Sequence, residues 1–147
     1  MATVTVITGL CGSGKSEYLK EMVGIIPFDE GVRPDKPENM EKFLDALATG
    51  TDCAIVEIAY ITDYGRNELV RLVRERFPDT VFKWIYFKND LEMANANCLN
   101  DPRRDKKMRE GNVANNMEWT QIYDIPDDGV LLEIFPIPPL HKESDPC

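Results

Sequence analysis

The sequence predicts an α/β domain in which a mainly parallel sheet carries helices on both faces. Apolar, β-branched segments alternate along the chain with segments of helical period, as in folds built from β-α-β units. The strand segments are nearly continuous in apolar residues, which is typical of strands buried on both faces. The 147 residues, 43% of them hydrophobic and 29% charged, are those of one soluble globular domain.

The chain is expected to open with a strand. TVTVIT at 3–8 is β-branched and apolar, which favours a buried strand. KSEYLKEMV at 15–23 follows as a helix, and GIIPF at 24–28 as a short second strand. Glycine, proline and charged residues then predict a loop over 29–38.

The middle of the chain continues the alternation. NMEKFLDALATG at 39–50 predicts a helix that ends at a glycine. CAIVEIAYI at 53–61 is an apolar run with one acid inside it, and it predicts the third strand. Residues 64–77 form an amphipathic helix whose polar face is rich in arginine. The residues expected to face inward from these two helices are Met40, Phe43, Leu44, Leu47, Leu69, Leu72, Val73 and Phe77.

The last third of the chain predicts two more strands and two more helices. The strands are TVFKWIYF at 80–87 and GVLLEIF at 129–135, and the helices cover 91–99 and 112–123. The domain is therefore expected to span 1–135. Residues 136–147 are rich in proline and polar side chains, and we expect a loose tail.

Charge and cysteine content restrict the classes of function. The net charge of −9 argues against broad nonspecific nucleic-acid binding. However, residues 101–109 carry five basic and two acidic side chains, so a basic patch lies on an acidic body. The four cysteines are scattered and the one histidine, His141, lies in the tail. We therefore expect no disulfide framework or structural metal, and a cytoplasmic protein. No apolar run reaches the roughly 20 residues of a membrane span.

The segment GLCGSGKS at 9–16 satisfies the P-loop pattern G-x-x-x-x-G-K-[ST] and lies between the first strand and first helix. Its glycines permit close backbone approach, its amides and the helix N-terminus bind phosphate, and its lysine reaches the β- and γ-phosphates. The serine is the expected Mg²⁺ ligand. The candidate nucleotide-binding residues are Gly9, Leu10, Cys11, Gly12, Ser13, Gly14, Lys15 and Ser16. Cys11 is expected to be a small space-filling residue, with oxidation sensitivity as a side hypothesis.

From GLCGSGKS through FDEGVR, CAIVEIAYITD, RNELVRLVRERF and WIYFKNDLEMANANC, the chain resembles the small P-loop kinases. It resembles in particular the kinase domain of phage polynucleotide kinases and related phage DNA or nucleoside kinases. The resemblance spans nearly all of 3–135, although only the P-loop segment is specific. It implies a three-layer P-loop kinase fold with an arginine-rich lid, with ATP and Mg²⁺ as ligands.

The resemblance also assigns roles to two acidic positions. Asp29 occupies the place of the family's general base, with Arg33 after it in a D-x-x-x-R spacing where relatives show D-x-x-R. Glu57 lies within an apolar run, so it is either at the exposed carboxyl end of a strand, where α/β folds bind ligands, or buried, where an acid is costly. Glu57 is therefore a candidate Mg²⁺ ligand or base, and Asp63 is the runner-up.

The basic stretch is the expected lid. Arg103 and Arg109 are candidate nucleotide-binding residues, and Arg104 is a candidate catalytic arginine that would stabilise charge on the transferring phosphoryl group. Asn97 and Asn100 are candidate hydrogen-bond partners. Trp84 and Trp119 are expected to pack in the core rather than to stack on bases.

The chain size, the P-loop and the basic stretch favour a kinase, and the resemblance implies an ATP-dependent kinase that phosphorylates a hydroxyl group on a nucleic acid or nucleoside. The hydroxyl is either a 5′ end or a hydroxymethylpyrimidine in phage-type DNA, and the basic stretch with the arginines of 66–76 would contact the strand. Two alternatives remain. One is a kinase for a nucleotide or other small molecule, and the other is a P-loop NTPase that is coupled to a protein partner.

Overall fold

The computed structural model describes residues 2–29 and 31–139. Five strands and five α-helices alternate along this part of the chain, except that the last two helices follow one another, and two short 3₁₀ turns lie at Ile58–Ile61 and Thr120–Ile122. The strands are β1 (Thr3–Thr8), β2 (Ile26–Phe28), β3 (Cys53–Val56), β4 (Val81–Phe87) and β5 (Val130–Leu132). The helices are α1 (Lys15–Lys20), α2 (Pro37–Ala48), α3 (Asp63–Arg76), α4 (Leu91–Leu99) and α5 (Lys106–Trp119).

The strands form one parallel sheet in the order β2-β3-β1-β4-β5. β1 is the central strand, with Val6 opposite Ile55 of β3 on one side and Trp84 of β4 on the other. The chain leaves β1 toward β2 on one side, whereas it leaves β3 toward β4 on the other side. The carboxyl ends of β1 and β3 therefore form a topological switch point, where open α/β sheets bind ligands.

Alternate residues of the strands face two separate cores. Val6 of β1 and Tyr86 of β4 pack in a core with α2 and α3. Ile7 of β1 and Phe87 of β4 face the opposite side, where Leu19 of α1 and Ala94 of α4 cover them. The sheet is thus covered by helices on both faces. The expected α/β class, with a parallel sheet between helices, is confirmed.

The core residues expected on α2 and α3 are largely confirmed. The four apolar residues of α2 are buried, as are Leu69 and Val73 of α3, while Leu72 and Phe77 are partly buried against the same core. Trp84 is buried, and Trp119 packs partly against both cores. The expectation that the tryptophans serve packing is therefore confirmed.

The expected strand at 53–61 is wrong in its second half. β3 ends at Val56, because Glu57 caps a 3₁₀ turn and its side chain accepts a bond from the Ala59 N–H. Apolar composition could not distinguish these states, because Tyr60 and Ile61 are fully buried in the turn. Helix α3 follows the turn. The Thr62 side chain caps this helix by accepting a bond from the Gly65 N–H.

The expected helix at 112–123 is also misplaced. α5 begins at Lys106, because Asp105 caps it by accepting a bond from the Met108 N–H at 2.8 Å. The basic stretch 101–109 is therefore half loop and half helix. The first helix ends three residues early at Lys20, and the last strand is confined to Val130–Leu132.

The C-terminal segment is held to the domain beyond residue 135. The Asn97 side chain accepts a bond from the Ile137 N–H and donates one to the Phe135 carbonyl, both at 2.9 Å. The expected loose tail is thus wrong for its first residues, while 140–147, with His141 and Cys147, lies outside the described residues. Across 2–29 and 31–139, no helix is long and apolar enough to cross a membrane.

Candidate functional site

The glycine-rich loop, residues 9–14, connects the carboxyl end of β1 to α1 at the switch point of the sheet. Gly12 and Gly14 have φ of 85° and 105°, a region that side chains disfavour. Gly12 is also packed against α4, since a Cβ there would lie 2.3 Å from the Ala94 carbonyl oxygen. The sequence therefore needs glycine at both positions for this loop to form and to turn into α1.

Lys15 begins α1 and folds back over the loop. Its Nζ donates to the carbonyls of Gly9 and Leu10, both at 2.8 Å. An ammonium group carries three N–H donors, so one remains for an anion in the cleft. Burial lowers the pKa of Lys15, while nearby Cys11 and Glu57 act in the opposite direction. Lys15 is thus a cation held at a fixed place on the rim of the loop.

Two carboxylates share the cleft with the loop. The Ser16 hydroxyl donates to Asp29 Oδ1 at 2.9 Å, which places Asp29 at the start of α1. Glu57 lies at the end of β3, where its backbone N–H bonds to Ile7 and its carbonyl accepts from Thr8 of β1. Both acids line the same cleft, whose volume is about 370 Å³. Of the two alternatives expected for Glu57, the buried one is confirmed, and the residue also directly follows the carboxyl end of β3.

Arg33 approaches Glu57 from the loop that follows β2. Its guanidinium lies 3.6 Å from Glu57 Oε1 and also forms a two-contact pair with Asp35. The segment after β2 therefore brings a cation to the buried acid. Asp63 lies elsewhere, at the start of α3, where it pairs with Arg66 at 3.4 Å.

Three arginines of the basic stretch have different surroundings. Arg103 pairs with Asp101 at 3.0 Å and Glu17 at 3.2 Å, and its hydrogen bond lowers the pKa of Asp101. Arg104 lines the cleft, and within 2–29 and 31–139 its guanidinium makes no ion pair. Arg109 bonds to the Asp101 carbonyl at 2.9 Å and does not line the cleft. The structure thus brings Arg103 and Arg104, but not Arg109, to the loop.

A second, more apolar cavity adjoins the cleft across the glycine-rich loop. It has a volume of about 780 Å³ and shares Gly12, Ser13, Gly14 and Arg103 with the first. Its apolar wall is made by Tyr18, Phe87, Leu131, Phe135, Pro136 and Ile137. The loop therefore separates a polar cleft from a cavity of the size and character that suit an aromatic ring.

Two asparagine side chains hold the outer surface of the loop. The Asn116 amide bonds to both the N–H and the carbonyl of Cys11, and the Asn97 amide bonds to the Gly12 carbonyl at 2.9 Å. Asn97 was a candidate from the sequence. Asn116 was missed, because it is 105 residues from its partner and no motif marks a helical asparagine as buried. Asn100 does not line the cleft or the cavity.

The arginines of α3 are engaged within the chain. Arg66 is buried and bonds to the Tyr86 hydroxyl at 2.6 Å. The remaining contacts of this set are Arg66 with Asp124, Arg71 with Glu68 and Glu75, Arg74 with the Phe82 ring, and Arg76 with Glu41. The expectation that these arginines face a nucleic-acid strand therefore has no support in the geometry of α3.

The cysteines of the site are thiols within the described chain. Cys11 is partly exposed in the cleft, whereas Cys98 of α4 is buried, which raises its pKa to about 11. Among residues 2–29 and 31–139, no group of three or more His, Cys, Asp or Glu side chains is placed to hold a metal ion. A metal in the cleft would therefore need oxygen atoms from its ligand as well as from Ser16, Asp29 or Glu57.

No family model matches the chain, and no curated protein matches it. Among solved structures, the fold is similar to one described as "Crystal structure of APE1195". The TM-score is 0.56 and the sequences are 21% identical, over 91% of this chain and 85% of the other. A likeness at that identity concerns the fold alone, and it supports the α/β architecture described above.

Proposed function

We propose that the protein is an ATP-dependent kinase of the P-loop type, which transfers the γ-phosphate to a hydroxyl group on a nucleoside or nucleic acid. The observation that carries the proposal is the meeting of three features at the carboxyl ends of β1 and β3. These are the glycine-rich loop leading into α1, a lysine on its rim, and two carboxylates across one cleft. A cation and backbone N–H groups can bind phosphate, and acids beside them can hold a metal ion or accept a proton. Their presence at one place therefore suits phosphoryl transfer.

The loop and Lys15 would hold the β- and γ-phosphates. The remaining N–H donor of Lys15 would bond to a phosphate oxygen, while the carbonyls of Gly9 and Leu10 keep the ammonium fixed. The adjoining cavity, with Phe87 and Phe135 in its wall, would take the adenine ring. A triphosphate would then run from the apolar cavity, along the loop, into the polar cleft.

The donor set fits Mg²⁺. Ser16 Oγ and the carboxylates of Asp29 and Glu57 are hard oxygen ligands, and Mg²⁺ commonly takes only one or two protein ligands beside phosphate oxygens and water. When bound, the ion would neutralise charge on the β- and γ-phosphates. The bond between Ser16 and Asp29 already brings these two oxygen atoms to 2.9 Å of one another.

In the transfer, the acceptor hydroxyl forms a bond to the γ-phosphorus as the bond to the bridging β,γ-oxygen breaks, and ADP leaves with that electron pair. The hydroxyl proton passes to a carboxylate. Asp29 and Glu57 are the two candidates, one exposed at the rim and one buried at the floor of the cleft. Arg104, with its unpaired guanidinium, would meet the charge on the transferring group.

The acceptor is better matched by a nucleoside or a strand end than by a long strand. The arginines of α3 are engaged within the chain, so the cluster of basic side chains beside the cleft is the stretch that precedes and begins α5. A small-molecule acceptor is the second candidate, and the same observation favours it. The cleft of about 370 Å³ has room for one sugar or a similar group beside the phosphates.

Transfer of label from γ-labelled ATP with Mg²⁺ tests the proposal. The acceptor panel contains 5′-hydroxyl oligonucleotides, hydroxymethylpyrimidine DNA, free nucleosides and nucleoside monophosphates. Lys15→Ala is the blank, and Lys20→Ala is its matched control, because Lys20 lies on the same helix and forms its ion pair with Glu17 at the surface. Label on one acceptor, lost in the Lys15 variant and kept in the Lys20 variant, is the expected result. Free phosphate released without any labelled acceptor would contradict a kinase and favour an NTPase.

A further inference from the structure

Asn116 of α5 makes a paired contact with the backbone of the glycine-rich loop. Its Oδ1 accepts from the Cys11 N–H at 2.8 Å, and its Nδ2 donates to the Cys11 carbonyl at 2.9 Å. The side chain is completely buried. An amide that meets both polar groups of one residue reproduces the pairing of a neighbouring strand, and it fixes the orientation of that residue's backbone.

The contact determines where the next N–H points. The peptide bonds of 2–29 and 31–139 are trans, so the carbonyl of Cys11 and the N–H of Gly12 point in opposite directions. Because that carbonyl faces Asn116, the Gly12 N–H points away from the Asn116 amide. From α4, the Asn97 side chain donates a hydrogen bond to the Gly12 carbonyl at 2.9 Å.

The Asn116 amide is itself held in place from α4. Its Nδ2 also lies 3.1 Å from Asn95 Oδ1 and 3.6 Å from Cys98 Sγ. Rotating the amide by 180° would place its oxygen against Asn95 Oδ1 and the Cys11 carbonyl, so only the observed orientation satisfies its partners. The loop therefore meets a fixed donor and a fixed acceptor.

Helix α5 also contributes to the cleft. Asn112, one turn before Asn116, lines the cleft, as does Arg104, which lies just before the helix. Asn116 is thus the residue through which α5 is hydrogen-bonded to the glycine-rich loop. A shift of α5 along its axis would break both bonds to Cys11 together.

We infer that Asn116 is a positioning residue for the triphosphate: it orients the Cys11 peptide groups so that the Gly12 N–H faces the phosphates, and it couples the loop to α5. The inference rests on the proposed nucleotide binding and goes beyond it, because it assigns the loop's geometry to a residue outside the loop. Asn116 does not touch the reacting atoms and acts through Cys11 and Gly12.

The first test measures the equilibrium affinity for ATP·Mg²⁺ of the full chain and of Asn116→Ala. We expect roughly 10- to 100-fold weaker binding, because two buried backbone groups lose their partners. The matched control is Asn89→Ala, whose amide bonds to the Thr120 carbonyl just after α5 and does not touch the loop. Its affinity should stay within about twofold of the natural chain. Thermal unfolding shows that each variant is folded at the assay temperature.

The second test uses Asn116→Asp and pH. An ionised carboxylate accepts from the Cys11 N–H but cannot donate to the Cys11 carbonyl, whereas the protonated acid can do both. Affinity of this variant should therefore rise as pH falls from roughly 8 to 5.5, beyond any change in the natural chain, because burial raises the pKa of a carboxyl into that range. The titratable groups around the site are Cys11 on the loop, Cys98 on α4 and Lys15 on α1, and the natural chain reports their contribution.

The outcomes separate this inference from the proposed function. If the natural chain does not bind ATP·Mg²⁺, the proposed function fails. If it binds and Asn116→Ala binds within twofold of it, the inference is overturned while the function stands. If Asn116→Ala does not fold, Asn116→Asp decides: an affinity that follows the pH dependence of the natural chain overturns the inference, and recovery at low pH supports it.

Discussion

Replacing Gly12 by alanine should separate the backbone requirement of the loop from its packing against α4. Gly12 and Gly50 have nearly the same left-handed backbone, with φ of 85° and 81°. Their surroundings differ. A Cβ at Gly12 would lie 2.3 Å from the Ala94 carbonyl oxygen and 3.0 Å from Cys98 Sγ, whereas a Cβ at Gly50 would meet nothing within 4 Å. Gly50→Ala is therefore a matched control for the backbone term.

The magnitudes follow from these distances. Placing alanine in the left-handed region costs about 1–2 kcal/mol in either variant. The Cβ at Gly12 is also about 1 Å closer to a backbone oxygen than the usual C···O contact of roughly 3.3 Å. Because that oxygen belongs to α4, the loop or the helix must move, and overpacking of this kind costs about 1–3 kcal/mol more. We expect Gly12→Ala to lose about 2–5 kcal/mol and Gly50→Ala about 1–2 kcal/mol.

Urea unfolding of both variants measures the two losses, and ATP·Mg²⁺ affinity measures the consequence for the loop. Gly12→Ala should weaken nucleotide binding, whereas Gly50→Ala should leave it unchanged, since Gly50 lies at the end of α2, away from the cleft. Equal losses of stability in the two variants would show that the contact between the loop and α4 does not constrain Gly12, and the reasoning would be wrong.

Three further predictions concern other parts of the molecule. Arg66→Met should lower the free energy of unfolding by about 2–4 kcal/mol, because it leaves buried partners unsatisfied, and Arg71→Met on the exposed face should change it by less than about 0.5 kcal/mol. Burial lowers the pKa of Lys15 below 10.5. ATP affinity should therefore decline as pH rises toward that lowered value, because the ammonium group loses its charge. Calorimetry in buffers of different ionisation enthalpy should show proton uptake on binding. Arg104→Ala should reduce kcat about 10- to 1000-fold in the transfer assay, whereas Arg109→Ala should reduce it less. A larger loss in Arg109→Ala would contradict the assignment of the catalytic charge to Arg104.

The sequence was sufficient for the α/β class because continuous apolar strands and amphipathic helices differ in period and composition. It was insufficient where one side chain decides a boundary. Glu57 ends β3 and Asp105 begins α5, each by a single capping bond, and the sequence pattern marked neither residue as a cap. Capping depends on where a backbone N–H is left free, which a hydrophobic pattern does not record.

The candidate site was predictable where its residues are close in sequence, as in the segment from Gly9 to Ser16. The meeting of that loop with Glu57 follows from parallel strands that end on one edge of the sheet. The contribution of Asn116 was not predictable, because it depends on how α5 packs against α4. The distinction between Arg104 and Arg109 likewise depends on where α5 begins.

The most direct test of the account is the binding of ATP·Mg²⁺ to the natural chain, with hydrogen exchange of the backbone amides followed in parallel. ATP·Mg²⁺ should bind saturably, binding should be lost in Lys15→Ala, and slowed exchange should be concentrated in residues 9–16 and at Phe135 and Ile137 of the adjoining wall. No binding at millimolar ATP, or protection confined to a surface away from the glycine-rich loop, would contradict it.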